Sequence, residues 1–208
     1  MAALFVFGAA CHAQSSAPIA RPEVKVGDRW TYQRMDYGAN QARGRYEMQV
    51  VFADRGVIQV VSTQKFKEEE IDTTYTADWN AVSTASRVFY PHTDWLRFPL
   101  RIGATYRTGY DTVVAKKGWK TRNEREVTVV GWEEVTVLAG KFRALKIVSD
   151  GRFERLDKAL SGTSRNVMWY VPEIKRWAKV TLENRPARGQ GKGRGEYTGE
   201  ELVDYKLQ

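Results

Sequence analysis

The sequence predicts an all-β chain built as a single antiparallel, strongly curved sheet or partly open barrel of about ten strands. Three observations lead there. Apolar and polar residues alternate with period two along most of the chain. Turn-forming residues separate the alternating runs. Only residues 154–162, ERLDKALSG, read as helical, and that stretch ends in Gly162 after a turn or two, too short for a major element. A β-sandwich is the alternative arrangement of the same strands.

Taken in order, the runs begin with KVGDRWTY, where Gly27 suits a tight turn of positive φ and Trp30 enters a strand. Tyr46, Met48, Val50 and Phe52 then form one apolar face. The turn ADRG returns the chain as VIQVVSTQKF, a hairpin. RIGATYRT (residues 101–108) repeats the order basic, aliphatic, glycine, aromatic of residues 25–32, with Gly103 and Tyr106 in the places of Gly27 and Trp30. This hints that two halves of one domain start alike. REVTVVGWEEVTV, the turn LAGKF and RALKIVSDGRF make a second hairpin.

In WYVPEIKRWAKV (residues 169–180), Val167, Trp169 and Val171 alternate before Pro172; Ala178, Val180 and Leu182 alternate after it. Proline presets φ for the turn. Trp169 is then expected in the core, and Trp177 on the opposite face. Lys175, Arg176 and Trp177 would form a small exposed cation–aromatic patch. EYTGEELVDYKL closes the chain as a further strand.

The first residues differ in kind. Residues 2–10 are apolar, and small residues at Cys11 and Ala13 fit a cleavage site, so residues 1–13 read as a secretory signal. A lipoprotein would instead carry its acyl chain on Cys11, although Gly8 stands where that pattern usually has Leu. Residues 14–24 read as a flexible leader and 25–208 as one β domain. Cleavage removes the only cysteine and leaves all of the +8 net charge, a composition suited to the bacterial periplasm or the exterior. No apolar run is long enough for a membrane-spanning helix.

Function classes narrow by subtraction. Beyond the signal there is one histidine, His92, with Asp94 two residues on. That spacing is common by chance, and Pro91 favours a loop. One histidine and no cysteine cannot furnish a zinc site. Glu68, Glu69 and Glu70 read as a solvated strand edge. A hydrolase resting on carboxylates alone is not excluded by counting, but no pair stands out. No cofactor, metal or nucleic acid is expected. The basic, glycine-rich stretch 185–196 lacks a phosphate-loop pattern and reads as a mobile loop between the last strands.

Four segments, KVGDRWTYQ, FPLRIGATY, VTVLAGKFRALKIV and WYVPEIKRWAKV, together resemble parts of secreted bacterial β-rich proteins of unknown function. Those are described as curved sheets similar to the periplasmic lipoprotein carriers. The resemblance implies a half-barrel and transfers no catalytic residue.

The leading expectation is a non-enzymatic cell-envelope protein. Its aromatic-rich sheet would bind an apolar or amphipathic molecule, a lipid, or a partner protein, through Trp30, Trp95, Trp132 and Trp169. Second comes a basic module for an anionic polymer or lipid surface, using Arg185, Arg188, Lys192, Arg194, Lys175 and Arg176.

Overall fold

A computed structural model describes residues 17–64, 70–188 and 195–208. Twelve antiparallel strands close into a barrel: β1 (Arg29–Asp36), β2 (Gln41–Asp54), β3 (Val57–Gln64), β4 (Glu70–Thr76), β5 (Ala81–Thr84), β6 (Arg87–Tyr90), β7 (Thr105–Val114), β8 (Trp119–Val137), β9 (Gly140–Arg155), β10 (Leu160–Val171), β11 (Arg176–Pro186) and β12 (Glu196–Lys206). Each strand pairs with its sequence neighbours, and β1 with β12 completes the ring. The expectation of about ten strands in a partly open sheet is therefore corrected on both counts. Strands β4, β5 and β6 follow one another between Glu70 and Tyr90, where no alternating run is read from the sequence. The β1–β12 ladder supplies the closure, with Tyr32 opposite Leu202, both fully buried. Residues 154–162 hold the end of β9, the turn at 156–159 and the start of β10 rather than a helix; among the described residues the helical turns are two three-residue 3-10 turns, Ala115–Lys117 and Pro172–Ile174.

Local chemistry explains the turns. Between Asp54 and Val57 the two turn residues Arg55 and Gly56 both have positive φ, the geometry that matches strand twist in two-residue hairpins. Gly27 and Gly103 have φ of 93° and 81°. Their surroundings repeat as well. Gly27 N–H donates to Val50 O (2.9 Å) and Val50 N–H to Asp28 O (2.9 Å); Gly103 N–H donates to Val129 O (2.8 Å) and Val129 N–H to Ala104 O (2.9 Å). A bulge follows Val50 and Val129 alike. The hinted duplication is thus a repeated turn-and-bulge unit.

A bulge also accounts for one of two faces misread from alternation. Val51 is the extra residue after Val50, so Phe52 leaves the apolar face and is 41% exposed. On β10 the inward set is Ser164, Asn166, Met168 and Tyr170, the opposite parity to that expected. Trp169 lies on the outer face, beside Lys146 and Lys179, with its Nε1–H donating to Glu133 (3.3 Å). Opposite it, the register slips between Trp169 and Tyr170, which brings Trp177 into line with Tyr170.

The apolar core fills one end of the barrel, around Trp30, Tyr32, Val50, Leu96, Leu100, Leu145 and Tyr170. Residues 91–104 cross this end, pinned by Asn80, whose side chain donates to Leu96 O and accepts from the N–H groups of Trp95 and Leu96. Asp28, fully buried, ties three elements together there. It accepts from Lys175 Nζ (2.9 Å), Lys25 N–H (2.9 Å) and Gln208 N–H (2.8 Å). Within residues 14–24, Ile19 exchanges two backbone hydrogen bonds with Leu100, and Val24 packs on the core. Ion pairs such as Arg29–Glu47, Arg107–Glu126 and Arg165–Asp150 join side chains on the outer face, which suits water rather than lipid. No helix among the described residues is long and apolar enough to cross a membrane.

Candidate functional site

Two buried arginines face the barrel interior, and they differ in their surroundings. Arg176 opens β11, directly after the Pro172–Ile174 turn, and is 1% exposed. Its guanidinium lies 3.7 Å from the ring centre of Trp177, 4.2 Å from Trp79, 5.2 Å from Tyr75 and 5.6 Å from Trp30. Trp30 and Trp79 are fixed by indole N–H bonds to Ile174 O and Lys175 O, so the turn that presents Arg176 also holds its cage. Next to the cage Glu200 accepts from Trp177 Nε1 (2.7 Å) and from the Tyr46 hydroxyl. Burial opposes the charge on Arg176, but Tyr75, Tyr32, Tyr46 and Glu200 outweigh it and leave its pKa above the ordinary arginine value. Burial likewise pushes the Tyr32 and Tyr46 hydroxyls well up, with Glu200 adding to the rise.

Arg125, on β8, is 7% exposed. Its Nε–H donates to the Tyr110 hydroxyl (3.1 Å) and its Nη2 to Ser164 Oγ (3.0 Å). The Trp95 and Tyr110 rings lie 5.5 and 6.0 Å from it. To reach Ser164 on β10 the side chain must pass over β9, where its direct partner is Gly151. A Cβ at Gly151 would sit 2.8 Å from Arg125 Cγ. The missing side chain is what opens the path.

Around Arg125 the inner face is polar and short of partners. Arg125 Nη1, Trp95 Nε1, Ser149 Oγ and both polar side-chain atoms of Asn166 are buried without a hydrogen bond among the described residues. Ser149 and Asn166 are paired across β9 and β10, and Asn166 is two residues from Ser164 on the same face. Most buried polar groups in proteins are satisfied, and leaving one bare costs about 1–3 kcal/mol. Those of Arg125, Ser149 and Asn166 share one inner face across β8, β9 and β10.

A separate groove of about 580 Å³ runs along the outer surface of β8 to β11, beside Arg122, Arg152 and Arg185 but also Glu124 and Glu154. Arg185 is paired with Glu183 and Arg122 with Asp111, so two of its three arginines are answered by carboxylates.

The residues singled out from sequence scatter. Trp30 belongs to the Arg176 cage and Trp95 to the Arg125 row, while Trp132 stacks under Arg143 and Trp169 lies on the outer face. The exposed patch expected of Lys175, Arg176 and Trp177 is corrected. Arg176 and Trp177 are buried and Lys175 is turned onto Asp28, so the cation–aromatic grouping is internal and out of reach of a surface. Arg185 and Arg188 remain exposed; Lys192 and Arg194 lie outside the described residues, as do Glu68, Glu69, Cys11 and the whole of residues 1–13. Asp94 binds Arg97 through two nitrogens rather than His92. Sequence reasoning missed Arg125, Ser149, Ser164 and Asn166. The signal available was polar residues recurring at alternate positions, 164 and 166, in a run read with the other parity.

No family model matches the chain, and no curated protein does. Among solved structures the chain is similar to a candidate lipoprotein from Parabacteroides distasonis, with a TM-score of 0.58 and 12% identity over 91% of this chain and 100% of that one. It is also similar to a candidate exported protein with a YmcC-like fold from Bacteroides fragilis, at a TM-score of 0.45 and 13% identity over the same shares. The likeness is one of fold. It rests on the first structure, and it agrees with the β-rich architecture that the four sequence segments implied.

Proposed function

We propose that this is a non-enzymatic protein of the bacterial cell envelope that holds an amphipathic ligand inside its barrel. The observation that carries the reading is the unpartnered polar row at Arg125, Ser149 and Asn166, set on the same inner face as an apolar core. A ligand with a polar head and an apolar body would meet both. Export is supported by the apolar residues 2–10 and the small residues at 11 and 13, and by the candidate lipoprotein of similar fold. Native mass spectrometry of protein exported with its first residues intact and purified from the periplasm is the test. A co-purifying small-molecule mass is expected, and a clean apo mass under gentle conditions would count heavily against it.

A second reading concerns the rim opposite the plugged end. Exposed Lys116, Lys117, Lys158 and Arg188 gather there, next to the basic stretch 185–196. Such a rim suits docking on an anionic surface, at about 1 kcal/mol per basic residue. Neutralising Arg185, Arg188, Lys192 and Arg194 together should then weaken binding to phosphatidylglycerol vesicles at low salt, and wild-type binding should fall steeply as salt rises. Vesicle binding unchanged by the four substitutions would remove this reading.

A further inference from the structure

Among the described residues neither guanidinium group inside the barrel forms an ion pair, but Glu200 stands beside the Arg176 cage, hydrogen-bonded to Trp177 and Tyr46. Glu200 favours the charge of Arg176. Among the described residues every hydrogen bond and ring contact of the Arg125 guanidinium is with a neutral group: the Tyr110 hydroxyl, the Ser164 hydroxyl and the rings of Trp95 and Tyr110. Arginine cannot shed its proton to escape burial. A buried charge with no counter-charge is strongly unfavourable, and ring faces and hydroxyls offset only part of that. Among the described residues Arg125 Nη1 has no acceptor, and the same holds for Arg176 Nε and Nη1.

The neighbouring unpartnered groups are alike in chemistry. Trp95 Nε1–H, the Ser149 hydroxyl and the Asn166 amide all offer hydrogen-bond donors. What the row lacks is an acceptor carrying negative charge. One guanidinium among neutral donors matches a single negative charge better than a doubly charged phosphate. A carboxylate also offers two oxygens and about four acceptor directions. We propose that the inner face at Arg125 binds the carboxylate of a monoanionic ligand, with Arg125 as the charged partner and Ser149, Asn166 and Trp95 as neutral donors. This rests on the reading of the barrel interior as a ligand site and names the head group that site takes.

The test is nitrogen–proton NMR of the chain lacking residues 1–13, with the Trp95 indole resonance assigned through Trp95→Phe. Acetate, hexanoate and decanoate are titrated in, with decan-1-ol as the uncharged control. At least one carboxylate is expected to shift the Trp95 indole N–H, and decan-1-ol is not. Losing a charge-assisted hydrogen bond is worth about 1.5–3 kcal/mol, so Arg125→Gln should weaken that carboxylate by roughly 10- to 100-fold. Because Arg125→Gln alters the interior, Ser149→Ala serves beside it; it removes one donor and should weaken binding by a smaller factor. Equal response to decanoate and decan-1-ol, unchanged by either substitution, would overturn the carboxylate while leaving an interior ligand standing. No response to any of the four compounds overturns the proposal, and a clean apo mass in addition would remove the ligand reading with it.

Discussion

Arg176→Ala is expected to lower folding stability by about 3–5 kcal/mol, the range found when a large side chain is cut from a packed core. Several losses coincide at this position. Four rings lose the cation they enclose, among them Trp177 at 3.7 Å and Trp79 at 4.2 Å. Desolvated cation–aromatic contacts are individually worth up to about 2 kcal/mol. The Tyr75 hydroxyl loses its donor, and the charge that Glu200 favours on Arg176 is gone. Urea unfolding followed by tryptophan fluorescence measures the change. Charge and volume can be separated by Arg176→Met combined with Glu200→Gln. Removing both charges while filling the space should recover part of the loss. If Arg176→Ala alone shifts stability by less than about 1 kcal/mol, the cage is not what holds the plugged end together.

The segment that presents Arg176 shows how far the sequence could be read. WYVPEIKRWAKV is a hairpin turn, as its proline and flanking alternation imply, and Gly27 and Gly103 do turn with positive φ. Those features are local, and local chemistry suffices for them. Which face of a strand meets the core is less secure, because one extra residue reverses it. Val51 does so for Phe52, and an aromatic outer face at Trp169 imitates an inner one. Closure is less legible still, since β1 and β12 pair across most of the chain and neither carries a mark of the other. The Arg125 row depends on both. Its members come from β8, β9, β10 and the 91–104 crossing, and each looks like an ordinary polar strand residue until parity and register bring them together.

Gly151→Ala should be as damaging as the loss of a core side chain, at about 3 kcal/mol or more, because the new Cβ would have no room. It would lie 2.1 Å from Glu124 O and 2.9 Å from Arg125 Cα, atoms of the neighbouring strand's backbone that cannot rotate away. Either β8 and β9 part locally, or the ladder between them breaks. The reason is space, and a second glycine separates space from backbone angle. Gly118, after the Ala115–Lys117 turn, has φ of 63° and nothing within 4 Å of an added Cβ. Gly118→Ala should therefore cost only the left-handed conformation, about 1–2 kcal/mol. Thermal or urea unfolding of the two variants side by side measures the difference. The same substitution at Gly151 also crowds the path by which Arg125 reaches Ser164, so carboxylate binding should fall with stability there and stay unchanged in Gly118→Ala. Equal costs at the two glycines would mean that β8 and β9 do not approach this closely, and the crossing of Arg125 over β9 would fall with that approach.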